Sequence, residues 1–163
     1  MKKYILAALI ALSTLFGARA DAGDISIAPQ LAFATKHTMF GMGLQAQFDL
    51  TEKFCLAPEF IFYFKNDNIT SYNGNVNLHY LMPLNEKFTF YPLAGVSYAR
   101  YKAEWKEDDG EKVREFHDRV GLNAGAGAEY MINDQMHLFA EERFQWIKDF
   151  TQSVTLVGVR FTF

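Results

Sequence analysis

Charged side chains set among small and neutral polar residues carry most of the chemistry open to this sequence. Seven of them fall in one phase of an alternating pattern: Asp49, Glu59, His79, Glu129, Glu141, Arg143 and Arg160. Carboxylates and guanidinium groups enclosed in one interior must pair, because an isolated buried charge is heavily penalised. Counted upward from the tight turns, Glu59 and His79 fall at similar heights on neighbouring segments. Glu129 and Glu141 are also on neighbours, with Arg143 one inward position above. This spacing predicts a Glu–Arg network. The network can be structural, can line a proton or ion path, or can supply a catalytic acid; the structural reading asks for nothing beyond pairing.

Other chemistries find less support. His37, His79, His117, His137 and the single Cys55 are scattered, without metal-ligand spacing. A nucleophilic Ser needs a His and an acid beside it. His37 and His117 lie near loops, but neither sits in a His-x-Ser arrangement, and Ser97 faces inward. Asp108-Asp109-Gly110-Glu111 could suggest calcium, yet it lacks the ligand spacing of an EF-hand and reads as a solvated loop tip. No cofactor or metal is expected, and an enzyme is not the leading expectation.

The elements that hold these residues are strands. Half of the 163 residues are apolar and 16% are aromatic, ample surface to bury, so the chain is not disordered. Residues 1–20 open with Lys2-Lys3, continue through an uncharged apolar stretch and end at Ala18-Arg19-Ala20, the pattern of a cleaved signal peptide. The expected mature barrel is 21–163. Losing Lys2, Lys3 and Arg19 moves the net charge from −3 to −6, which argues against nucleic acid as a partner.

Beyond residue 20, alternation is nearly everywhere and helical periodicity almost absent. Eight segments emerge, at about 24–34, 39–50, 54–64, 71–82, 87–103, 115–131, 136–146 and 151–163. One phase is rich in large apolar residues and the other holds Gly, Asn, Gln and ions. Segments this long suit strands that cross a bilayer at a tilt. The fold class expected is all-β: an eight-stranded antiparallel up-and-down transmembrane β-barrel, apolar outside and polar inside.

Three connections repeat one layout: Leu50-Thr51-Glu52-Lys53-Phe54, Leu84-Asn85-Glu86-Lys87-Phe88 and Ile132-Asn133-Asp134-Gln135-Met136. They read as short periplasmic turns. Four residues after the first apolar residue of each odd segment comes Pro29, Pro58, Pro92 or Ala140. Proline cannot donate to a ladder, so local bulges are expected there. Of the opposite connections, 36–37 and 148–149 are short, 65–70 is moderate and 105–114 is the longest. Aromatic residues gather at both ends. Trp105, Trp146, Tyr72, Tyr98, Tyr101, Phe64 and Phe150 lie toward the loops; Phe48, Phe54, Phe88, Tyr130, Phe161 and Phe163 lie toward the turns. Two bilayer interfaces select such belts.

With its signal segment, eight amphipathic strands and terminal Phe163 preceded by Phe161, Val159 and Val157, the chain resembles small outer-membrane β-barrels of Gram-negative bacteria. These are the OmpX-like and OmpA-transmembrane-domain-like barrels of the porin family. Asn77-Leu78-His79-Tyr80 and the run from Gly121 to Gly127 look like strand patterns of that group. The resemblance implies a bacterial outer-membrane location. It implies outer-membrane lipids, lipopolysaccharide among them, as surroundings. It also implies that barrel-assembly machinery reads Phe163, Phe161 and Val159. The expected role is structural support of the envelope or display of loops for a host or surface ligand. A narrow pore for small solutes and a lipid A-modifying enzyme are the rivals. One anomaly stands apart: if Glu141 and Arg143 point inward, Glu142 points to lipid, beside Ala126 and Thr155. That arrangement suggests a patch for a lipid headgroup or partner barrel, unless a bulge turns Glu142 aside.

Overall fold

Branched and aromatic residues at every second position fit a pleated backbone, and this chain uses them along almost its whole length. A computed structural model describes residues 25–66, 69–106, 112–148 and 151–163, without the side chains of 103–106 and 112–114. The strands are β1 (Ile25–Ala34), β2 (Met39–Asp49), β3 (Phe54–Asn66), β4 (Ile69–Tyr80), β5 (Met82–Pro83), β6 (Phe88–Lys106), β7 (Lys112–Asn133), β8 (Met136–Ile147) and β9 (Gln152–Thr162). Apart from β4 and β5, consecutive strands pair antiparallel. β1 pairs with β9 and β4 with β6, so the sheet closes on itself. β4 and β5 are one stave interrupted at Leu81, which makes a closed barrel of eight staves without open edges along its wall.

Local side chains fix the turns. Thr51 Oγ1 accepts the backbone N–H groups of Lys53 and Phe54 at 3.2 and 3.0 Å. Asn85 Oδ1 accepts those of Lys87 and Phe88 at 2.9 and 3.0 Å. Asn133 Oδ1 accepts that of Gln135 at 3.0 Å. The repeated Thr/Asn position is thus a side-chain cap. At the opposite end a short 3-10 turn, Lys36–Thr38, joins β1 to β2, with His37 and Thr38 at positive φ. The Asn66 amide holds that tip by donating to the His37 carbonyl at 2.7 Å.

Three features differ from the sequence reading. The prolines make no bulges. Ile27 pairs with Phe161 and Gln30 with Gly158, one register on both sides of Pro29. The same holds around Pro58, where Gln45 pairs with Glu59 and Phe48 with Leu56, and around Pro92, where His79 pairs with Leu93 and Met82 with Phe90. Each proline lacks the N–H for one ladder, which lapses for a step, while the other flank stays paired. The register shifts lie elsewhere, at Tyr63/Asn66 and Met131/Asn133. Secondly, strand replaces most of two expected loops. β3 and β4 run to Asn66 and from Ile69, and β6 and β7 stay paired out to Lys106 and Lys112. The Asp108–Glu111 acids lie outside the described residues. Thirdly, β8 pairing ends at Gly121 with Ile147, so the β6–β7 hairpin continues past the end of β8, with β4 alongside β6 as far as Ala103.

Candidate functional site

The barrel interior is built in three levels. Toward the loop end, Ala32, Ala34, Met39, Ile61, Tyr63, Ala99, Tyr101, Ile147, Val154 and Leu156 form a buried apolar cap. Tyr101 belongs here, 1% exposed, and not to the aromatic belt where the sequence reading put it. Its inward phase follows from pairing with Ser71 and His117.

Below the cap lies an amide layer. Gln145 Nε2 donates to Asn75 Oδ1 and to Asn123 Oδ1, both at 3.1 Å. Asn123 Nδ2 donates to Asn77 Oδ1 at 2.9 Å, and Gln152 Nε2 to Gln145 Oε1 at 2.9 Å. Asn75 then links downward, donating to Glu59 Oε1 at 2.7 Å. Glu59 also accepts from Gln30 at 2.8 Å.

The Arg143 guanidinium is the centre of the next level. It pairs with Glu59 and, at 3.1 Å, with Glu141, all three side chains being fully enclosed. β8 and β3 stand four staves apart in the ring of eight, so the Arg143–Glu59 pair spans the lumen. Tyr91 reaches Glu141 Oε2 at 3.5 Å and stacks on His79, centroids 4.7 Å apart. Gly127 makes room for that tyrosine: a Cβ there would stand 2.3 Å from the ring. Nearer the turns, Arg160 pairs with Glu129, accepts nothing, and donates to Gln45 Oε1 at 2.9 Å while lying 5.0 Å over the Phe139 ring. His137 Nδ1 stands 2.7 Å from Glu129 Oε1.

The expected single network is therefore two. Glu129 belongs to Arg160 and not to Arg143. Glu59 and His79 are not level: Glu59 pairs across β4 with Asn75, whereas His79 pairs with Cys55, four residues lower. Stagger between staves, which counting from turns omits, is the reason. Neither His79 ring nitrogen finds a hydrogen-bond partner among the described residues. Asp49 sits at the half-buried turn end, accepting from Gln47 at 3.3 Å. Sequence reading missed Tyr91 because it lies between outward Phe90 and Pro92 in an aromatic run. It missed Gln30, Gln45 and Asn75 as partners, although their polar phase was visible. Among the described residues no group of three or more His, Cys, Asp or Glu side chains could hold a metal ion.

On the outer surface Tyr72, Tyr98 and Trp146 are exposed toward the loop end, and Phe54, Tyr130 and Phe161 toward the turn end. Phe88 is half-buried opposite Tyr130. The Trp105 side chain lies outside the described ones, as does Phe150. Just above Tyr98, Arg100 and Asp118 form an outward ion pair at 2.6 Å. The hydrogen bond from Arg100 holds the Asp118 carboxyl below the usual carboxylate range. Glu142 faces outward between Ala126 and Thr155, in unbroken register, so no bulge turns it aside.

A closed antiparallel wall, apolar outside and ion-paired within, defines a transmembrane β-barrel. The family model of the outer membrane protein beta-barrel domain matches residues 6–163, and the chain belongs to that family. It is an integral outer-membrane protein. No protein of curated function matches it. Among solved structures it is similar to Neisserial surface protein A, with TM-score 0.68, 17% identity and 86% and 97% of the two chains covered. It is also similar to the N-terminal barrel domain of Pseudomonas aeruginosa OprF (0.64, 18%, 86% and 99%). A further neighbour is Ail, the attachment invasion locus protein of Yersinia pestis (0.63, 15%, 86% and 97%). One Ail structure is a complex with the heparin analogue sucrose octasulfate. At these identities the likeness shows the fold.

Proposed function

We propose that this barrel acts through its surfaces and not through a pore: it supports the outer membrane and displays the β6–β7 hairpin for adhesion. The observation that carries this reading is the filled lumen. Gln45, Asn77, His79 and Gln145 are 0% exposed, and Glu59, Glu141, Arg143 and Arg160 no more than 6%. Water-filled passages wet their lining, and these residues would be that lining. The hairpin supports the second half, since it rises past the end of β8 and stays paired to Lys106 and Lys112. Analogy of fold with an attachment protein points the same way. Sulfated polysaccharide, the chemistry seen on Ail, is the first ligand class to try. In this reading residues 1–20 are a cleaved export signal. Phe163, Phe161 and Val159 serve the barrel-assembly machinery.

Two measurements test it, one on the refolded barrel and one on cells. In a planar bilayer the protein should stay silent; discrete current steps would make the lumen a pore. On cells, deleting residues 104–114 should abolish adherence to heparin-coated or host-cell surfaces while heat-modifiable gel mobility reports an intact barrel. Unchanged adherence would remove the hairpin from the function.

A further inference from the structure

β1 and β9 close the barrel, and the two ends of their seam show which way each backbone group points. At the loop end the Thr35 N–H donates to the Ser153 carbonyl at 3.0 Å, and at the turn end the Phe163 N–H donates to the Ile25 carbonyl at 3.1 Å. The odd residues of β1 therefore turn their backbone groups toward β9. Pro29 is one of them, and it falls opposite Val159, between the Ile27–Phe161 and Gln30–Gly158 pairs. Its nitrogen carries no hydrogen, so the ladder brings no donor to the Val159 carbonyl. The outward side chains around that carbonyl, those of Ile27, Leu31, Leu138, Ala140, Val157 and Phe161, carry no donor either.

The other two prolines act in the same way. The Leu50 N–H donates to the Phe54 carbonyl at 2.9 Å and the Leu84 N–H to the Phe88 carbonyl at 2.8 Å, so even residues of β3 face β2 and even residues of β6 face the β4–β5 stave. Pro58 thus leaves the Ala46 carbonyl, and Pro92 the Tyr80 carbonyl, without a ladder donor. Val159 differs from both in the wall around it. A depression of about 740 Å³ opens there on the outer surface, floored by Pro29 and the backbone of Gly43 and Gly158 and walled by Leu44, Phe60 and Val157. Val159 borders it, whereas Ala46 and Tyr80 do not.

This surface faces hydrocarbon, where a main-chain acceptor without a donor is costly. Phe161 of the turn-end belt is the next outward residue below Val159, about 7 Å along the strand. The carbonyl therefore lies just inside the turn-end boundary of the hydrocarbon, and the depression rises from it past Leu31 and Met42 toward Phe62. Glycerophospholipids bring ester groups to that depth, and esters accept hydrogen bonds without donating them. One acceptor at the foot of an apolar trough fits a ligand with a hydroxyl at one end and a hydrocarbon chain behind it.

We infer that this seam is a binding site for a long-chain alcohol. The ligand hydroxyl donates to the Val159 carbonyl, in place of the N–H that Pro29 lacks. Its chain lies along Pro29, Leu31 and Leu44, against Phe60.

The test uses the full barrel in phosphatidylcholine nanodiscs with hexadecanol or its methyl ether added, and counts retained ligand by native mass spectrometry. The ether keeps the chain and removes the donor. Wild type should retain the alcohol about fivefold over the ether, the effect of one hydrogen bond to a neutral acceptor. Pro29→Ala restores the backbone N–H and should erase that preference. Pro58→Ala, which restores the donor to Ala46, should leave it intact. Val157→Trp fills the depression and should lower retention of both ligands. Heat-modifiable mobility confirms folding, and Pro29→Gly, with the same N–H, replaces Pro29→Ala should that barrel fail to form. Equal retention of alcohol and ether by wild type overturns the proposal. So does a preference that survives restoring the N–H at position 29, one that disappears in Pro58→Ala, or a Pro29-dependent dimer without selectivity for the alcohol.

Discussion

Glu141 and Glu142 are adjacent on β8 and point to opposite solvents. Inside, Glu141 is 2% exposed and shares the Arg143 guanidinium with Glu59. Outside, Glu142 is exposed and, among the described residues, has only the hydroxyls of Ser153 and Thr155. One peptide unit separates a carboxylate with a guanidinium partner from one whose partners are neutral hydroxyls. The lumen has a fixed and small volume, so its charges must be balanced by residues of the same chain. The outer wall is open to whatever the membrane supplies, so balance there can come from a partner. A barrel thus closes its interior chemistry and leaves its exterior chemistry unfinished.

The largest test of that contrast is Arg143→Met. It strands two carboxylates in a sealed site and should destabilise the barrel by about 3–5 kcal/mol, the usual cost of breaking a buried pair. Urea unfolding of the refolded protein in phosphatidylcholine measures it; a loss below about 1 kcal/mol would mean that water reaches Glu59 and Glu141. Glu142→Leu should do the reverse in the same bilayer, raising stability by up to about 2 kcal/mol, because the lipid-facing acid costs more than the two hydroxyl hydrogen bonds that leave with it. Destabilisation there would make Glu142 a structural residue and erase the difference between the two faces.

The smallest effect belongs to the exposed pair above the belt. The Asp118 carboxyl is held below its ordinary range by Arg100. A depressed acid contributes stability above its unfolded value and loses it as pH falls through the folded one. Arg100→Ala should return the Asp118 titration, followed by NMR, to the ordinary carboxylate range. It should leave the unfolding midpoint at neutral pH unmoved, as solvent screens an exposed pair. An unmoved Asp118 titration would show that the pair does not persist in solution.

Much of this was visible in the residues. Alternation in Phe40, Met42, Leu44 against Gly41, Gly43 and Gln45 assigns each side chain a face without reference to any other strand. The Thr51, Asn85 and Asn133 positions assign the turns, because each cap reaches only two or three residues along the chain. Loop lengths were less visible. The polar composition near 105–114 suggested a loop, whereas hairpin pairing continues to Lys106 and Lys112. Polar residues pair as readily as apolar ones once a strand leaves the bilayer. The prolines were visible as obstacles, but their resolution depended on which flank of each strand could lose a hydrogen bond.

The sequence by itself determined that the protein is a barrel, which residues face in and which face out, and that acids and arginines share the interior. Period two and turn chemistry are local, so one chain read in order contains them. Only the tertiary structure decided which charge meets which. Arg143 and Glu59 are 84 positions apart, on staves that face each other across the lumen. Their meeting depends on the stagger adopted when β1 closes onto β9. That stagger is a property of the closed ring, summed over all eight staves, and no single strand carries it.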